Sequence, residues 1–94
     1  WADSKFIPLF HEGQPYPMIY LRTNGIETFL IALNPTGTRK SVKVNAEVAE
    51  YRSATKDIKG NVVPVKTLGK GSYKRTPKGD TITLEPTSGI IVRL

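Results

Sequence analysis

The side chains able to do acid–base or nucleophilic chemistry in this 94-residue chain are eight carboxylates, His11 and a few scattered serines. Glycosidase-type catalysis needs two carboxylates held about 5 to 10 Å apart across a cleft. Here the acids fall at turns or on polar positions of alternating stretches, and the plainer reading is surface charge. His11 is the only histidine, and no further nitrogen or oxygen ligands are spaced to converge on it as a metal centre. Ser4, Ser41, Ser53, Ser72 and Ser88 have no nucleophile-elbow context. The chain has no cysteine, which excludes disulfides, thiolate metal sites and cysteine nucleophiles. No catalytic residue, metal or cofactor is expected.

Two stretches could recognise a ligand. Leu68-Gly69-Lys70-Gly71-Ser72 hints at a phosphate loop, but Pro64 stands where the pattern needs its first Gly. Gly follows the Lys in place of Ser or Thr, and no helix signal follows to aim a dipole at a phosphate. Between Asp57 and Asp80 the chain carries Lys59, Lys66, Lys70, Lys74, Arg75 and Lys78 with no acid, so the whole excess of +6 belongs to this segment. Such a ribbon can bind nucleic acid when aromatics interleave with the charges. Only Tyr73 does so here, and the plainer reading is a solvated edge whose charge blocks strand-to-strand aggregation. Trp1, Tyr16, Tyr20, Tyr51 and Tyr73 could form a sugar-stacking platform, although tyrosines of small β-domains more often belong to rim or core.

The elements that would position these groups are strands. At this length the chain is expected to be one domain, burying a little over ~60% of its unfolded surface and leaving no room for a large enclosed site. It opens on Trp1-Ala2-Asp3, not on Met or a signal peptide, so a mature product or a piece excised from a longer protein is expected. No apolar run approaches the ~20 residues of a membrane span.

Apolar residues alternate with polar ones, and helix signals are nearly absent. Phe6 to Phe10 reads as an edge strand broken by Pro8. Met18–Thr23 and Glu27–Asn34 read as a hairpin on a type I′ Asn24-Gly25 turn. Arg39 to Tyr51 reads as one strand with Val42, Val44, Ala46 and Val48 on its buried face. Further strands are expected at Val62–Thr67, with Pro64 marking an edge or bulge, and at Ser72–Arg75, Thr81–Glu85 and Gly89–Leu94. Seven or eight short strands with a turn about every ten residues predict an all-β, antiparallel β-sandwich. One segment sits oddly in that scheme: Phe29-Leu30-Ile31-Ala32-Leu33 is apolar on both faces, and a two-layer sandwich covers one.

The order of features, "YPMIYLR", "TNGIETFLIALNPTG", a variable middle, "LGKG" and "DTITLEPTSGIIVRL", resembles the C-terminal β-domain of α-amylase-family glycoside hydrolases, nearest the α-glucosidase and oligo-1,6-glucosidase branch. The matching residues are Tyr20, Arg22, Gly25, Leu30 to Asn34, Leu84, Pro86 and Gly89 to Leu94, and the match covers about two thirds of the chain. Ala49 to Val65 and the basic ribbon fit loosely. The motifs mark strands and turns and carry no chemistry.

The resemblance implies a sandwich with Greek-key connections over residues 1–94, following a catalytic (β/α)8 barrel of about 250 residues. The family's catalytic carboxylates lie in that barrel, so none is carried over. The implied role is a non-catalytic accessory domain of an α-glucan-active glycoside hydrolase, stabilising the barrel and contributing to substrate contacts. Its partners would be the barrel of the same parent chain and α-glucan, with no membrane. The domain-interface residues expected on this reading are Trp1, Phe6, Phe10 and Leu30. Alternatives are an independent carbohydrate-binding module and, below it, a small basic nucleic-acid-binding β-domain.

Overall fold

The computed structural model describes residues 4–9 and 16–94. Within them the order is β1 (Lys5–Pro8), β2 (Met18–Thr23), β3 (Thr28–Asn34), β4 (Lys40–Lys43), α1 (Ala49–Thr55), β5 (Gly60–Val62), β6 (Lys66–Leu68), β7 (Gly71–Thr76), β8 (Gly79–Leu84) and β9 (Ser88–Arg93). The strands form two antiparallel sheets, β1-β2-β3-β9-β6 and β4-β8-β7-β5. They pack as the all-β sandwich that the alternation predicts. β3 pairs with β9 in one sheet, and β4 with β8 in the other. The β3–β4 and β8–β9 crossovers therefore run side by side, a Greek-key connection.

Strand alternation decides which side chains fill the space between the sheets. β2 supplies Ile19 and Leu21, β3 supplies Leu30 and Ala32, and β9 supplies Ile90 and Val92; Tyr73, Ile82 and Leu84 face them, all at most 1% exposed. Asn34 is the buried polar group at the end of β3. Its amide nitrogen donates to the carbonyls of Thr38 at 2.9 Å, Leu84 at 3.3 Å and Glu85 at 3.1 Å. The side-chain oxygen accepts from the Thr36 hydroxyl at 2.6 Å. Asn34 thus ties the β3–β4 crossover to the end of β8.

The β2–β3 turn differs from the expected two-residue type. Thr23 pairs with Thr28, so four residues form the loop. Asn24 Oδ1 accepts from the backbone amides of Ile26 at 2.9 Å and Glu27 at 2.8 Å. This side-chain turn leaves the left-handed conformation to Gly25 alone, at φ +89.

The segment Arg39 to Tyr51 is not one strand. β4 stops at Lys43, and the Asn45 side chain accepts from the Glu47 amide at 3.1 Å, turning the chain. Ala46 is then exposed, and helix α1 begins at Ala49. Glu50, Arg52 and Ala54 favour a helix, and the i, i+4 pair Tyr51 and Thr55 is its buried face. Seven residues are too few to hold a helix by propensity, so packing must do so. The expected strand Val62–Thr67 is likewise divided. Pro64 lies between β5, at the edge of one sheet, and β6, at the edge of the other.

Candidate functional site

The face of the five-stranded sheet that points away from the core is built by strand register. Phe6 pairs with Arg22, Arg22 with Phe29, and Phe29 with Arg93, making one row across four strands. The next row runs Pro8, Tyr20, Ile31, Ile91 and Lys66 across all five. A third runs Met18, Leu33, Gly89 and Leu68. Strand spacing of ~4.8 Å and rise of ~3.3 Å per residue make this face roughly 19 Å by 13 Å. At its rim Phe6 is 60% exposed and Leu68 is 69% exposed. At its centre Arg22, Phe29, Ile31 and Ile91 line a depression of about 220 Å³. Phe6 is held by Tyr20, ring centroids 5.7 Å apart, and by the Arg22 guanidinium 5.6 Å from its ring centre.

The outer face of the four-stranded sheet is the internal contrast. Its rows are Ser41, Thr83 and Ser72, then Lys43, Thr81, Lys74 and Asn61. Ser41 and Thr83 join hydroxyl to hydroxyl at 3.0 Å. An antiparallel sheet facing water carries such polar side chains. Both outer faces belong to one sandwich, yet one is written for water and the other is apolar between its basic groups.

Of the residues expected at a domain interface, Phe6 lies on this apolar face. Leu30 does not: it is 0% exposed and points into the sandwich. The outward members of its strand are its neighbours Phe29, Ile31 and Leu33, because alternate side chains take opposite sides. Trp1 and Phe10 lie outside the described residues, as does His11. Met18, Tyr20, Ile91 and Leu68 join the face through register, which the sequence shows only once pairing partners are known.

The one cluster of titratable groups buried among the described residues sits where α1 meets the four-stranded sheet. Tyr51 donates its hydroxyl hydrogen to Asp80, and the Tyr73 hydroxyl lies 2.6 Å from that of Tyr51. Arg75 Nε donates to Asp80 at 3.0 Å, and its Nη1 donates to the carbonyls of Thr55 and Ile58. Burial, with the hydrogen bond to Asp80, pushes the Tyr51 phenol far above its ordinary range. Burial pushes Tyr73 up to about 12. Both rings are at most 1% exposed, so no substrate reaches them. The cluster fastens the helix to the sheet. It also removes Tyr51 and Tyr73 from any sugar-stacking platform; of the remaining candidates Trp1 lies outside the described residues, and Tyr16 and Tyr20 are left, with the Tyr20 ring tilted by 52° to that of Phe6.

The other described acids are dispersed. Glu85 meets Arg39 at 2.9 Å and Glu27 meets Arg93 at 3.5 Å, while Glu47, Glu50 and Asp57 are exposed. No group of three or more His, Asp or Glu comes together among the described residues. Compared with protein-family models, with curated proteins and with solved structures, the chain finds no match.

Proposed function

We propose that this chain is a non-catalytic accessory β-sandwich of an α-glucan-active glycoside hydrolase. It docks on the parent's catalytic barrel through the outer face of the five-stranded sheet. The observation that carries the proposal is the unequal polarity of the two outer faces. A large contiguous apolar face on a small protein marks a surface that a partner uses. Its dimensions suit the partner: a helix about 10 Å in diameter can lie along the middle row. The depression between Ile31 and Ile91 would receive one side chain from such a helix. The outer ring of a (β/α)8 barrel is a layer of helices. The resemblance of the β2–β3 and β8–β9 segments to the C-terminal domains of such enzymes supports the same partner.

The test uses the full-length polypeptide encoded around this segment. Ile31→Lys places a charge at the centre of the docking face without entering the core. It should separate one cooperative unfolding transition into two in calorimetry, and expose the junction between the units to protease. Lys74→Ser, on the polar outer face, should change neither. If Ile31→Lys leaves a single unchanged transition, or if no barrel-length sequence precedes this segment, the docking proposal is overturned.

A further inference from the structure

We infer that the groove between the loop after α1 and strands β5 and β7 binds a phosphate ester carried on a saturated, sugar-like scaffold. The groove encloses about 480 Å³, lined by Lys56, Ile58, Lys59 and Gly60 on one side and by Lys74, Arg75, Thr76 and Pro77 on the other. That volume lies within the range of small-ligand sites. The basic segment of the sequence is thereby divided. Lys66 and Lys70 leave with β6 and the loop after it, whereas Lys59, Lys74 and Arg75 converge on the groove. Lys56 joins them only because Ala49–Thr55 is helical and ends beside them.

Three of these cations are open to a ligand. Lys56, Lys59 and Lys74 are exposed and form no ion pair among the described residues. Asp57 lies between Lys56 and Ile58 in the chain, and its exposed carboxylate offsets part of the charge without pairing to any of the three. Arg75 is committed instead to shape. It pairs with Asp80 and holds the carbonyls of Thr55 and Ile58, so the loop that carries Lys56 and Lys59 is pinned before any ligand arrives. A preformed concave surface bearing several ammonium groups favours an oxyanion, because each lysine donates a charge-assisted hydrogen bond.

The lining also selects the scaffold. Among the described residues no aromatic side chain lines the groove, so a nucleobase has no ring of theirs to stack on. Ile58 and Pro77 offer saturated apolar contact, which suits the C–H face of a sugar ring. This site lies outside the proposed docking face, and its test stands whether or not that proposal survives.

Glucose 6-phosphate is the probe, titrated into the 15N-labelled 94-residue chain at low salt. Amide shifts should change for Lys56, Ile58, Lys59 and Lys74 to Thr76. The variant Lys59→Glu/Lys74→Glu should weaken binding by about tenfold or more, from two lost charge-assisted contacts. The charge-matched control Lys66→Glu/Lys70→Glu should keep the wild-type Kd within about twofold, since those charges lie outside the groove. All four lysines are exposed, so neither variant should lower the melting temperature. Equal weakening by both variants would reduce the effect to net charge and overturn the site. Inorganic phosphate binding as tightly as glucose 6-phosphate would overturn the scaffold assignment. So would a single-stranded oligonucleotide that displaces glucose 6-phosphate from the groove with higher affinity.

Discussion

The hydroxyl oxygens of Tyr51 on α1 and Tyr73 on β7 meet at 2.6 Å in the interior, and the direction of the bond between them is fixed by a third residue. Tyr51 has one hydroxyl hydrogen and gives it to Asp80, so Tyr73 must donate to Tyr51. The chain Tyr73 to Tyr51 to Asp80 thus runs one way and ends on a carboxylate that Arg75 also neutralises.

Breaking that chain should release the helix. Asp80→Ala leaves a half-buried guanidinium and a buried phenol without their shared acceptor and should cost about 3 kcal/mol, the low end for a broken buried pair. Tyr51→Phe keeps the ring but strands the Tyr73 donor, and should cost about 1–3 kcal/mol. Urea denaturation of the two variants beside wild type measures both. An Asp80→Ala variant as stable as Tyr51→Phe would mean that Arg75 does not depend on the carboxylate.

The same burial sets an alkaline limit. Tyr73 loses its proton at about 12 in the native state against an ordinary value of 10.0, and Tyr51 is held higher still. Unfolded chains release these protons from pH 10 upward, while the native state retains them, so native stability falls as pH rises above 10. Below that value neither phenol contributes a slope. Tm measured from pH 8 to 12 should stay level with respect to these groups and then drop. The drop should shrink in the Tyr51→Phe/Tyr73→Phe double variant, and an equal drop there would assign it to lysine titration.

The apolar face should make the isolated chain associate with itself at high concentration. Phe6→Ser and Ile31→Lys should each lower the mass seen by light scattering toward the monomer, with little change in Tm, because both positions lie outside the core. Leu30→Ala is the contrast. It empties core volume and should cost about 2–5 kcal/mol without relieving association. Unchanged scattering in both surface variants would sink the expectation.

On the accessory-domain reading the chain should not hydrolyse maltose, isomaltose or soluble starch. Asp80, the buried acid among the described residues, accepts from the Tyr51 phenol and the Arg75 guanidinium, and no second described carboxylate joins it. Turnover above the rate without protein, abolished by changing a single Asp or Glu, would refute that reading.

Sequence pattern was most informative where strands are central. Ile82, Leu84, Ile90 and Val92 announce their inward side by alternation, whereas Leu30 and Ala32 lie in the doubly apolar run Phe29 to Leu33, where no alternation chooses the side that faces the core. Alternation misled at Val42 to Val48, where the period-two pattern runs past the end of β4. Helix α1 was illegible because its buried face is only Tyr51 and Thr55, fewer contacts than a period of 3.6 needs to declare itself. The groove was hidden with it, since Lys56 reaches Lys59 and Lys74 only through that helix. The apolar face was half visible: Phe6 is readable from the sequence, but the doubly apolar β3 run points to the inward Leu30 as readily as to Phe29, Ile31 and Leu33, and Met18 and Leu68 join through pairings that no local pattern encodes.

The position of β9 has a consequence for how the chain reaches its fold during synthesis. β9 is made after every other described strand, yet it lies between β3 and β6 in the five-stranded sheet. Until it leaves the ribosome, Leu30 and Ala32 lack Val92 and Ile90 alongside them, and β6 has no pairing partner among the described strands. A nascent chain lacking residues 88–93 can form the β2–β3 and β7–β8 hairpins but cannot close the sandwich. On the accessory-domain reading, a barrel translated earlier is already complete at that moment and offers a helical surface on which these strands gather.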